Sequence, residues 1–125
     1  MSKETIGVVQ YMTNKGTWEN VPLYKEDNKL VDLWIGGKEI YDYLQEYCYN
    51  LESSDATALS DALGFYEDGY DTPDWKAVHL ATLKYLASKG VRDMVKLSDK
   101  IETITELAGV YASLDLIRFV YYLDY

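Results

Sequence analysis

The side chains best suited to chemistry are scarce. Cys48 is the only cysteine and His79 the only histidine. Two such singletons argue against a zinc site, which takes about four nitrogen or sulfur ligands. A lone cysteine also forms no internal disulfide. Few groups remain for nucleophilic or acid–base work near neutral pH. Gly36-Gly37 lacks the G-x-x-x-x-G-K-[ST] continuation of a phosphate-binding loop. The segment Glu67-Asp68-Gly69-Tyr70-Asp71, followed by Asp74, is rich in carboxylates but does not have the alternating acids and terminal bidentate Glu of an EF-hand. Glycosidase-like catalysis needs two carboxylates at a set separation across a cleft, and spacing along a chain does not supply that. The expectation is a protein with no catalytic residues, no metal and no cofactor. His79 reads as a histidine satisfied by an ordinary hydrogen bond, Cys48 as a small buried residue, and Trp18, Trp34 and Trp75 as core anchors, any exposed one of which would mark an interface.

Carboxylates dominate the remaining chemistry. The 125 residues carry a formal charge of −9, from 21 acids and 12 bases. Ten of those acids fall between Glu39 and Trp75, where there is no Lys or Arg; the rest of the chain has eleven acids against twelve bases. Six of the 13 tyrosines lie in the same segment. One reading is a solvated face that keeps a small domain soluble. The sharper reading is a binding surface, because like charges crowded together repel and cost stability. Carboxylates on a rigid surface resemble a phosphate backbone to a protein that answers phosphates with Lys and Arg. Tyrosines among them add contact area at low entropic cost. The expected partner-binding residues are Glu39, Asp42, Tyr43, Glu46, Tyr66, Glu67, Asp68, Tyr70, Asp71 and Asp74. Such a segment repels DNA and RNA, so no direct nucleic-acid binding is expected.

The elements that must position these residues follow from periodicity. At 48% hydrophobic and 26% charged, the composition is that of a globular chain. One domain of this length buries roughly 65% of its unfolded surface. Met1-Ser2-Lys3-Glu4 lacks the apolar run of a signal peptide, and no stretch approaches the ~18 apolar residues of a spanning helix. Thr5 to Met12, Thr17 to Lys25 and Lys29 to Ile35 read as three short strands, separated by the turns Thr13-Asn14-Lys15-Gly16 and Glu26-Asp27-Asn28. Pro22 puts the second strand at an edge. From Lys38 the period changes: Ile40, Tyr43, Leu44, Tyr47 and Leu51 form a helical stripe to about Asn50, with Glu39, Asp42 and Glu46 outside it. A short helix is expected from Ser53 or Ser54 to Leu63, stopped by Gly64. Thr72-Pro73-Asp74 reads as the start of a helix lined by Trp75, Val78, Thr82, Leu83 and Leu86 and ended by Lys89-Gly90. Val91 to Leu97 fits strand or helix. Asp99 and Glu102 then suggest a capping box for a helix with Ile101, Ile104, Leu107, Ala108, Tyr111 and Leu114 on one face, which Gly109 kinks or divides. Leu114 to Leu123, apolar on most sides, reads as a final helix docked into the core or a partner. The expected fold is α+β: a single domain, 1–125, with a small N-terminal antiparallel meander (1–37) and a mainly helical body of four to five helices (38–125).

Several landmarks in this order resemble a loose group of small phage-encoded proteins of uncharacterised role. They are Trp18-Glu19-Asn20-Val21 after a first strand, Tyr41-Asp42-Tyr43-Leu44 on a helix, and a segment from Trp75 through His79 to Thr82-Leu83-Lys84-Tyr85-Leu86. The resemblance covers about the first two-thirds of the chain. It departs at the start: the group often opens with Asp-Ile-His, where this chain has Thr5-Ile6-Gly7. The resemblance implies a phage or mobile-element accessory protein in a bacterial cytoplasm, and implies no activity.

The expected function is therefore that of an acidic, non-enzymatic inhibitor. It would occupy the basic surface of a host nucleic-acid-handling protein, in the manner of an anti-CRISPR or anti-restriction protein. One alternative is a structural or assembly protein that oligomerises through its apolar C-terminal helix. Another is a small-ligand-binding or enzymatic domain with a carboxylate-lined pocket, which convergence of acids with His79 in a cleft would favour.

Overall fold

The computed structural model describes residues 3–21, 25–26, 29–30, 33–64 and 73–124. The β-branched run at the start forms strand β1 (Glu4–Met12), and a turn with Gly16 at φ 79° leads to β2 (Trp18–Asn20). Short strands β3 (Lys25–Glu26) and β4 (Lys29–Leu30) pair with each other, and β5 (Leu33–Gly37) returns antiparallel to β1. Helix α1 (Lys38–Tyr43) passes into a 3-10 turn (Leu44–Glu46) and then β6 (Tyr49–Asn50). Helix α2 (Ser53–Ala62), β7 (Lys76–His79), α3 (Leu80–Ser88) and α4 (Arg92–Leu107) follow. A second 3-10 turn (Leu114–Leu116) leads into β8 (Ile117–Asp124). The architecture is α+β, with an N-terminal meander and four α-helices among the described residues.

The main sheet runs β2-β1-β8-β7-β6, and β5 shares the outer edge of β1 with β2. Alternation along its central strands creates two apolar faces. Val9, Val78, Phe119 and Tyr121 face one way and pack with Ile40 and Leu44 and with Leu83, Leu86, Met94, Leu97 and Ile101 of α3 and α4. Val8, Ala77 and Val120 face the other way, against Leu51, Leu59 and Trp75. Helices α1, α3 and α4 thus cover one face and α2 the other.

Several expectations are corrected. The segment expected to be a C-terminal helix is β8, held between β1 and β7. A central strand buried on both faces reads as a continuous apolar run, which periodicity does not separate from a buried helix. Because Ile117 to Tyr121 are buried, oligomerisation through a C-terminal helix loses its element. The helix expected after Pro73 begins only at Leu80; its first turn is replaced by β7, which pairs with β8. Trp75, Val78, Leu83 and Leu86 are still buried, three on a shared core but from two elements. The Lys38–Asn50 helix is broken after Tyr43 into the 3-10 turn and β6. Val91 to Leu97 is helical from Arg92, so α4 starts before the expected cap. It ends at Leu107, with Gly109 at φ 72°; Leu107 and Tyr111 are 84% and 93% exposed instead of core-facing. No helix among the described residues is long and apolar enough to cross a membrane.

Candidate functional site: a polar row under an aromatic cleft

Registers across β2, β1, β8 and β7 place Asn20 opposite Gln10, Gln10 opposite Arg118, and Arg118 opposite His79. The four side chains form a polar row on the α2 face. The next row inward, Val8, Val120 and Ala77, is the apolar one packed with Leu59 of α2. Helix α2 therefore seals the apolar row and leaves its first turn, with Asp55, over the polar one.

Arg118 is the centre of this row and is only 3% exposed. A buried guanidinium costs several kcal/mol unless it is paired and hydrogen-bonded. Its Nε donates to Gln10 Oε1 at 2.8 Å, and Nη1 donates to the Tyr49 hydroxyl at 3.1 Å. Gln10 Nε2 donates in turn to Asn20 Oδ1 at 2.8 Å, which fixes the amide's orientation. The guanidinium lies 4.1 Å from the Trp18 ring centroid, a cation–π contact. Asp55 Oδ2 stands 3.5 Å from Nη2 as counter-ion, but Nη2 itself has no hydrogen-bond partner.

His79 closes the row. Its ring is 6.0 Å from that of Trp18 and 5.4 Å from that of Tyr49. Burial lowers its pKa below the usual 6.5, the Arg118 charge lowers it further, and Asp115 opposes both. Its buried Nδ1 has no hydrogen-bond partner. A hydrogen bond with the Asp115 backbone nevertheless gives the ring the ordinary partner expected of it. Above the row opens a cleft of about 580 Å³, lined by Trp18, Tyr49, His79, Asn50, Glu52 and Asp55 together with Arg118. Glu52 and Asp55 are three residues apart at the start of α2, where carboxylates are favoured by the helix dipole.

The expected acidic site is placed as follows. Glu39, Asp42, Tyr43 and Glu46 are exposed together on α1 and its 3-10 extension. The Tyr43 and Tyr47 rings stack at 6.0 Å. Exposed Tyr85 on α3 lies at the same end of the molecule, with Lys89 Nζ 4.6 Å over its ring and close to Tyr43 and Tyr47. Asp42 pairs with Lys38 at 2.5 Å, whereas Glu39 and Glu46 have no ion-pair partner among the described residues. Asp74 stands apart, before β7, paired with Lys76 at 3.2 Å. Tyr66, Glu67, Asp68, Tyr70 and Asp71 lie outside the described residues.

Of the three tryptophans, Trp75 is buried, Trp18 half-buried over Arg118, and Trp34 56% exposed beside a groove of about 470 Å³ between β5 and α4. Cys48 is half-buried, with Sγ 3.7 Å from the Gln45 carbonyl. Among the described residues, no three of His, Cys, Asp and Glu gather as a metal-binding group. The sequence reading missed Gln10, Tyr49, Asp55 and Arg118 as one constellation. A signal was present in Arg118, a lone charge inside the apolar run from Leu116 to Leu123.

Compared with protein-family models, curated proteins and solved structures, the chain shows no significant match to any of them.

Proposed function

We infer that the protein is a non-enzymatic, acidic binding protein whose partner is basic. The inference extends to a phage or mobile-element accessory protein that, in a bacterial cytoplasm, inhibits a host nucleic-acid-handling protein by covering its nucleic-acid surface. One observation carries the reading: exposed carboxylates Glu39, Asp42 and Glu46 share a short segment with the stacked, exposed Tyr43 and Tyr47. Exposed aromatics in contact with one another are unusual away from interfaces, where tyrosine supplies anchoring area. The surrounding carboxylates supply the charge that steers a cationic partner.

The test is capture from a bacterial lysate with three forms of the protein: wild type, a Glu39→Lys, Asp42→Lys, Glu46→Lys variant, and an Asp61→Lys, Asp99→Lys, Glu106→Lys control at exposed positions of α2 and α4. The expected result is a nucleic-acid-binding protein retained by wild type and control. It should be displaced by DNA and by salt, since exposed charges are screened over about 10 Å at 0.1 M. The first variant should retain at least about tenfold less, equivalent to about 1.4 kcal/mol. Equal loss from both triple variants, or retention indifferent to salt, overturns the reading.

A further inference from the structure

The cleft above Arg118 lies on the α2 face of the sheet, whereas the exposed carboxylates of α1 lie over the other face. The cleft is thus a separate place in the fold from the carboxylates of α1. Its volume, about 580 Å³, is in the range of small-molecule sites, which combine apolar or aromatic walls with a few fixed polar groups.

The polar groups specify the chemistry of the occupant. Arg118 Nη2, on a side chain that is 97% buried, has the Asp55 carboxylate at 3.5 Å but makes no hydrogen bond, and His79 Nδ1 makes none either. Such atoms carry a desolvation cost that a bound partner removes. Asn50 Oδ1 accepts from Lys76 Nζ at 2.5 Å, which leaves the Asn50 NH₂ to donate. The Tyr49 hydroxyl accepts from Arg118, which leaves its own proton to donate. Asp55 uses one oxygen on Arg118, and Glu52 has no ion-pair partner among the described residues; both accept. The lining therefore presents both donors and acceptors. A ligand with hydroxyls, which donate and accept at once, matches that set.

Charge narrows the class. Two carboxylates against one guanidinium leave the lining net negative, which disfavours phosphates and carboxylates. A cation would bring further donors to a site where the buried Arg118 Nη2 still makes no hydrogen bond. The aromatic walls suit the C–H face of a ring. We propose that this cleft binds a neutral polyhydroxylated ring, the chemistry of a monosaccharide unit.

The test is a nitrogen–proton NMR titration that follows the Trp18 indole, the Asn50 side-chain amide and the Arg118 Nε–H. The sugar probes are D-glucose, D-galactose, D-ribose, N-acetyl-D-glucosamine and their methyl glycosides and disaccharides. Glycerol and L-argininamide are the contrasting probes. The expected result is saturable, linked shifts of all three signals with at least one sugar. Tightening from monosaccharide to disaccharide assigns the source to a glycan chain, and no tightening assigns it to a free sugar. Glu52→Ala, an exposed position, should weaken the binding about tenfold, or about 1.4 kcal/mol. Trp34→Ala, in the separate groove, should leave it unchanged. No saturable shift with any sugar overturns the proposal. So do equal shifts from glycerol, saturation by L-argininamide in place of sugars, and a Glu52→Ala variant that is folded and binds as wild type.

Discussion

Protonating His79 would place a second positive charge beside Arg118 in a half-buried cleft. Burial and that charge both hold the imidazole pKa below its usual 6.5. The unfolded chain therefore takes up the proton first as pH falls, and stability decreases where the unfolded state binds more protons. The loss begins as pH drops through about 6.5 and levels off below the lowered folded-state value. Urea midpoints between about pH 7.5 and about pH 5.5 should fall for wild type and change less for His79→Gln. An equal slope in both would assign the pH dependence to other groups. His79 was visible in the sequence as the lone histidine; its surroundings were not. Gln10, Trp18, Tyr49, Asp55 and Arg118 come from five separate elements; strand register brings the four on strands together, and the packing of α2 on the sheet adds Asp55. A single sequence carries no record of register.

At the scale of elements, local signals were legible wherever backbone chemistry acts within a few residues. The strand from Thr5, the turn at Gly16, the stop at Gly64 and the end of α3 at Lys89-Gly90 all appear, and Gly16, Gly64 and Gly90 have positive φ. What failed was the distinction between a buried strand and a buried helix, because both faces of β8 are covered. The same crowding governs β1. A Cβ at Gly7 would collide with the carbonyl oxygen of Val120 and sit 2.7 Å from the Phe119 ring. The backbone of β8 cannot retreat, since β7 holds its other edge. Gly7→Ala should therefore destabilise by about 2–3 kcal/mol, read as a lower urea midpoint with unchanged slope. Gly16→Ala meets no neighbouring atom, so it isolates the cost of positive φ alone.

For the whole molecule, an excess of nine negative charges opposes the compact state. Sodium chloride should raise the melting temperature between low ionic strength and about 0.15 M, where the Debye length is about 8 Å. A gain of about 1 kcal/mol corresponds to a few degrees, measurable by scanning calorimetry. A flat response would mean that the carboxylates are already neutralised by their neighbours. The placement of β8 bears on biosynthesis. Its register against β1 runs from Glu4 with Asp124 to Tyr11 with Ile117, joining the two ends of the described chain. On the ribosome, β1 emerges first and waits with one edge unpaired while α1 to α4 are made. The middle of the sheet closes only when residues 117–124 follow. Long-range closure of this kind is slow, and a waiting strand edge is prone to wrong pairing. A translation arrest before Ile117 would thus leave a nascent chain with its helices made and the central strand of its sheet missing.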